Sequence, residues 1–133
     1  MKKIILTILY IGVLSTLLVT FAFAEEFTPY SDKVFDILTA SLSSSKTVTF
    51  NCVASENQKS IKITNCWLQR KNGTIWKKIC NLDIPTTEAV NTISYSAYMN
   101  YSDKIGIGTY RVGFTINADG HTATRYSNER TFK

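Results

Sequence analysis

The sequence predicts an antiparallel β-sandwich of about seven short strands. Three observations carry that expectation. From Lys46 onward, apolar residues recur at every second position, which is the strand period. Pairs such as Asn72-Gly73 and Asp119-Gly120 punctuate the alternating runs. The first 24 residues have the layout of an export signal, which leaves residues 25–133 as one domain-sized stretch.

The N-terminal segment is the most directive part of the chain. Lys2 and Lys3 precede an apolar run from Ile4 to Phe21, and Ala22-Phe23-Ala24 supplies an A-x-A exit. Cleavage is expected between Ala24 and Glu25, delivering a single domain to the outside of a bacterial cell with no membrane anchor left behind. An uncleaved anchor is the rival reading, because Ile4–Ala24 nearly reaches membrane-spanning length.

Glu25 to Ser31 reads as an irregular lead-in. Val34 to Leu42 carries both a helical and an alternating pattern, and a first strand is preferred. Val48, Phe50, Cys52 and Ala54 then alternate with Thr47, Thr49 and Asn51, giving a half-buried strand. Ser55 to Ser60 reads as a polar loop. Ile61 and Ile63 restart the alternation, and the change of parity before Cys66 and Leu68 predicts a bulge near Thr64-Asn65. Asn72-Gly73 tolerates positive φ at both positions and predicts a tight type I′ hairpin, pairing Lys71 with Thr74. Asn81 to Glu88 is a connection, Asn91 to Tyr101 a strand, and Gly106 with Gly108 a turn. Tyr110, Val112, Phe114 and Ile116 form the cleanest alternation, and His121 to Phe132 returns as a final strand.

The formal charge of +5 includes Lys2 and Lys3, so an exported chain carries less. The basic residues are interspersed with acids, Ser and Thr. That pattern suits solubility, allows weak attraction to anionic envelope polymers and argues against nucleic acid as a partner. Cys52, Cys66 and Cys80 are spaced evenly by 14 residues, without the close pairs and histidines of a zinc site. Outside the cell an odd count predicts one disulfide and one remaining thiol. The hairpin register stands one step from placing Cys66 opposite Cys80, so that pair is preferred to Cys52–Cys66.

Gly108 to Gly120 resembles the F strand and F–G turn of fibronectin type III and related immunoglobulin-like domains. The Asn72-Gly73 hairpin, followed by Thr74 to Ile79, is similar to their C–C′ region. The chain also resembles small secreted β-sandwich proteins of Gram-positive bacteria. The resemblance implies a sandwich and says little about activity. It implies a tyrosine-corner role for Tyr110, whereas the position of the immunoglobulin F-strand cysteine is held by Val112.

Chemistry-bearing motifs are sparse. His121 follows a turn and lacks an evident nucleophile. Asp103 and Asp119 lack the spacing of a calcium loop, and Asp83, Glu88 and Asp103 fall in connections. Asn72-Gly73-Thr74 and Asn100-Tyr101-Ser102 match glycosylation acceptors, the first being better explained as a turn. No catalytic residue, metal or cofactor is assigned. The expected hairpin register puts Trp67 and Trp76 on one face with Gln69 and Lys78, while Tyr98, Tyr101 and Tyr126 extend the aromatic surface. Against that, one Trp could serve as core, as in many sandwiches. The expectation is a monomeric, non-catalytic binding domain, with Trp67, Trp76, Lys78 and Tyr98 as its surface and a protein or glycan at the cell surface as its partner. A carbohydrate-binding module and a small secreted toxin are the alternatives.

Overall fold

The computed structural model describes residues 32–133. The expected signal peptide, residues 1–24, and its expected cleavage point at Ala24–Glu25 lie outside the described residues. Seven strands follow in order: β1 (Phe35–Leu42), β2 (Thr47–Asn72), β3 (Ile75–Asn81), β4 (Glu88–Asn100), β5 (Gly108–Ala118), β6 (His121–Tyr126) and β7 (Arg130–Phe132). They form one continuous antiparallel sheet curled into a half-barrel.

The spine is β2, whose 26 residues serve different neighbours along its length. Thr47 to Val53 is flanked by β4, and Val48 to Ala54 by β1. Farther on, Ile61 to Arg70 pairs with β5 and Trp67 to Asn72 with β3. The expected loop at Ser55–Ser60 is thus a continuation of the strand. Its pairing with β4 slips between Val53 and Gln58, so an irregularity bends the spine there without breaking it. The β5–β6 turn satisfies this polar stretch. The Asp119 carboxylate accepts the Lys59 and Ser60 backbone N–H groups at 2.8 and 3.0 Å, and the Ser60 carbonyl accepts the Asp119 N–H. Polar composition suggested a loop; a side chain sixty residues away lets the segment remain extended.

Alternation decides what the curl encloses. Val48, Phe50, Cys52 and Ala54 from one half of β2, and Ile61, Ile63, Cys66 and Leu68 from the other, are all buried. The change of parity between Ile63 and Cys66 is a bulge at Thr64, where the register against β5 shifts. β5 contributes Tyr110, Val112, Phe114 and Ile116 to the same core. Phe50 and Phe114, from opposite halves of the sheet, meet edge to face with centroids 5.1 Å apart. On β4, Tyr95 and Ala97 point inward as their alternation requires, but Ile93 is exposed because the pairing there is irregular.

Two turns differ from expectation in an instructive way. The tight turn with left-handed backbone at both positions is Asp119-Gly120 (φ 48° and 89°), which joins the paired residues Ala118 and His121. In the β2–β3 hairpin Asn72 pairs with Ile75, and the loop is Gly73-Thr74. Positive φ falls on Gly73 (65°) and not on Asn72, which is the pattern of a Gly-first turn. The final strand is also two strands: β6 pairs with the Gly113–Ala118 part of β5, and β7 with Gly108–Tyr110.

Candidate functional site

The outer face of β2, β3, β5 and β6 carries a row of aromatic and cationic side chains. Moving the hairpin turn by one residue shifts the pairing by one on each strand, so side-chain parity is unchanged. Lys71 therefore pairs with Trp76 and Gln69 with Lys78. Trp67 belongs to the same side of β2, since its neighbours Cys66 and Leu68 are buried. Both tryptophans are half-buried and neither belongs to the core.

Arg111 on β5, opposite Gln69, ties the row together. Its guanidinium carbon lies 4.4 Å from the Trp76 ring centroid and 4.0 Å from that of Tyr126. Its Nε–H donates to Gln69 Oε1 at 2.7 Å, fixing the plane of the fork. Tyr126 meets Trp67 edge to face at 6.0 Å, and Lys71 Nζ lies 5.6 Å from Trp76. The resulting order is Lys71, Trp76, Arg111, Tyr126, Trp67. Each partly exposed cation–π contact contributes about 0.5–1 kcal/mol, so the row stiffens this face more than it stabilises the fold. Trp67 lies over Gly113, its cross-strand partner, and the indole occupies the space a Cβ would need. Arg111 was not legible as a site residue: as an isolated cation in a strand it carries no motif.

Tyr98 does not join this row. It is 76% exposed on β4, opposite Thr49, and lines a separate shallow groove with Pro85, Thr86 and Thr87. Tyr101 is buried and donates its hydroxyl proton to the Asp83 carbonyl at 2.7 Å. Tyr110 is also buried, and its hydroxyl donates back to the Ile107 carbonyl at 3.2 Å.

The expected Cys66–Cys80 disulfide is not formed, and all three cysteines are free. The register supplies the reason. An irregularity between Leu68 and Gln69 places Cys80 opposite Leu68, while the Cys66 carbonyl receives the Leu82 N–H. Cys66 and Cys80 are thus diagonal neighbours, too far apart for an S–S bond without backbone movement. Burial pushes both the Cys52 and Cys66 thiols up to about 11, so these sulfurs are poor nucleophiles at neutral pH. His121 pairs with Asp32 at 3.1 Å and packs against Phe35, with ring centroids 5.7 Å apart. No group of three His, Cys, Asp or Glu side chains among the described residues is arranged to hold a metal ion.

The hairpin adds charge to the aromatic row. Between Glu56 and Asp83 the sequence holds six Lys or Arg residues and no acid. Four of them, Arg70, Lys71, Lys77 and Lys78, are gathered by β2–β3 pairing. Arg70, Lys71, Asn72, Lys77 and Ile79 line an open cleft at the hairpin. Searches against protein-family models, curated proteins and solved structures found no match to this chain.

Proposed function

We propose that the chain is an exported, non-catalytic binding domain whose contact surface is the outer face holding Trp67, Trp76, Arg111, Tyr126 and Lys78. The observation that carries this reading is the ordered aromatic–cation row on a partly solvent-exposed sheet face. Rigid aromatic and arginine side chains are favoured at recognition surfaces because little freedom remains for binding to remove. The Gln69 clamp on Arg111 adds to that pre-organisation. Export rests on the Lys2-Lys3 start, the apolar run and the Ala22-Phe23-Ala24 exit. We read the two halves of the curled sheet as the layers of an immunoglobulin-like sandwich. The Phe50–Phe114 contact between those halves and the Tyr110–Ile107 hydrogen bond support that reading.

The test is capture of envelope preparations and host-surface extracts by the exported protein, compared with Trp76→Ala and His121→Ala. Loss of capture in Trp76→Ala, with His121→Ala retained, is expected. Equal capture by wild type and Trp76→Ala would sink the assignment of this face.

A further inference from the structure

The basic hairpin has an arrangement that the fold alone does not require. Arg70 and Lys77 are directly opposite one another across the β2–β3 ladder, and both are exposed. Like charges in directly paired positions destabilise a sheet. No acid relieves them: among the described residues Arg70, Lys77 and Lys78 make no ion pair, and only Lys71 meets a carboxylate, that of Glu129 at 3.3 Å. Arg70 is also held in place. Its guanidinium lies 5.9 Å from the Tyr110 ring and against Gly108. Strand parity puts Arg70 and Lys77 on one side of the ribbon and Lys71 and Lys78 on the other, with the cleft lined by Arg70, Lys71, Asn72, Lys77 and Ile79.

We propose that this hairpin binds an acidic polysaccharide, a chain of sugars bearing carboxylates, which runs across the cleft from Arg70 and Lys77 to Lys71 and Lys78. This deepens the proposed function and rests on it. Charge complementarity selects an anion, and an Arg fork beside lysines suits carboxylates. Cations on both sides of a narrow ribbon favour an extended polyanion over a single small ion. Trp76 is paired with Lys71 and shares its face with Lys78, so the part of its half-buried ring not covered by Arg111 and Lys71 sets an aromatic edge beside the cations for a sugar to meet. An acidic peptide would satisfy the charges without using that ring. Because Arg70, Lys77 and Lys78 are exposed, the attraction is open to salt screening.

The test measures binding of the exported full-length product to polygalacturonate, with neutral dextran and poly-L-glutamate as controls. Wild type is expected to bind polygalacturonate and to weaken by roughly tenfold or more as salt rises from about 50 to about 200 mM. Lys77→Ser/Lys78→Ser is expected to lose roughly tenfold while keeping its melting temperature, since neither side chain makes an ion pair. Lys77→Glu gives Arg70 an opposite charge, so it should lose binding without losing stability. No polygalacturonate binding at low salt, or full binding by the double variant, would overturn the site. Equal binding of poly-L-glutamate would overturn the sugar assignment, and equal binding of dextran would overturn the role of charge. If polygalacturonate fails while Trp76→Ala still abolishes envelope capture, the polyanion is refuted and the binding face stands. If capture is indifferent to Trp76, the broader reading is refuted with it.

Discussion

Gly113→Ala tests whether the outer-face row is a packed unit or a loose set of exposed rings. Gly113 is buried within β5, directly opposite Trp67, and a Cβ there would run into Cε2, Nε1 and Cζ2 of the indole. Those atoms belong to a rigid ring, so the clash cannot be relieved by a flexible tip. Overpacking of this kind costs about 1–3 kcal/mol. Displacing Trp67 also loosens its edge-to-face contact with Tyr126, worth about 0.5–1.5 kcal/mol. For a domain of this size, 1 kcal/mol shifts the melting temperature by about 4–8 °C, so a fall of roughly 5–35 °C is expected. Thermal unfolding followed by tryptophan fluorescence reads both effects, because the displaced indole should gain solvent and shift its emission to the red. The control is Trp67→Ala, in whose background Gly113→Ala should lose most of its penalty, a coupling that a double-mutant cycle measures. An unchanged melting temperature and emission spectrum in Gly113→Ala would show that Trp67 does not rest on this glycine.

Ser127→Ala should cost about 1–3 kcal/mol in urea unfolding, because Ser127 Oγ accepts the Val112 N–H at 2.9 Å in the core and alanine leaves that donor unpaired. Asp119→Ala should destabilise more than Asp119→Asn. Alanine removes the acceptor of the Lys59 and Ser60 N–H groups and tolerates φ 48° poorly, whereas asparagine keeps an acceptor and suits that backbone; equal melting temperatures would contradict this. A thiol reagent should titrate partly exposed Cys80 quickly in the native protein and Cys52 and Cys66 only after denaturation. Those two thiols also set a pH window. Their folded values of about 11 lie above the ordinary 9.0, so the unfolded chain loses protons first, and their contribution to stability is intact below about 9 and falls as pH rises towards 11. Replacing both by alanine or serine should flatten the fall between about 9 and 10, as denaturant midpoints would show, whereas above about 10 the buried Tyr95 and Tyr101 hydroxyls, also raised by burial, continue to lower stability.

What could be read from the sequence was what strand period controls. β1, the alternating halves of β2, the bulge at Thr64 and the inward set on β5 all follow from which residues share a face. Features set by partners distant in sequence were out of reach. Ser55–Ser60 looks like a loop until Asp119 accepts the Lys59 and Ser60 N–H groups. Asp32, between the irregular lead-in and β1, carries no sequence signal for its pairing with His121. Asn72-Gly73 carried the right local preference, yet the chain placed positive φ on Gly73 alone and gave the doubly left-handed turn to Asp119-Gly120.

The same parity rule explains why the two site expectations fared differently. Sliding the turn by one residue moves each strand by one, which preserves the face of every side chain but changes which residues are opposite. The grouping of Trp67, Gln69, Trp76 and Lys78 depends only on face, so it survives the slide. A disulfide depends on distance, and the further slip between Leu68 and Gln69 sets Cys80 against Leu68, so the Cys66–Cys80 bond does not. Composition puts the cations on the hairpin, and the slide itself sets Arg70 directly opposite Lys77. An acid at position 77 would relieve that opposition within the sheet; with lysine there, the two facing cations are left for an anion from outside to neutralise, which is the premise that the Lys77→Glu variant tests.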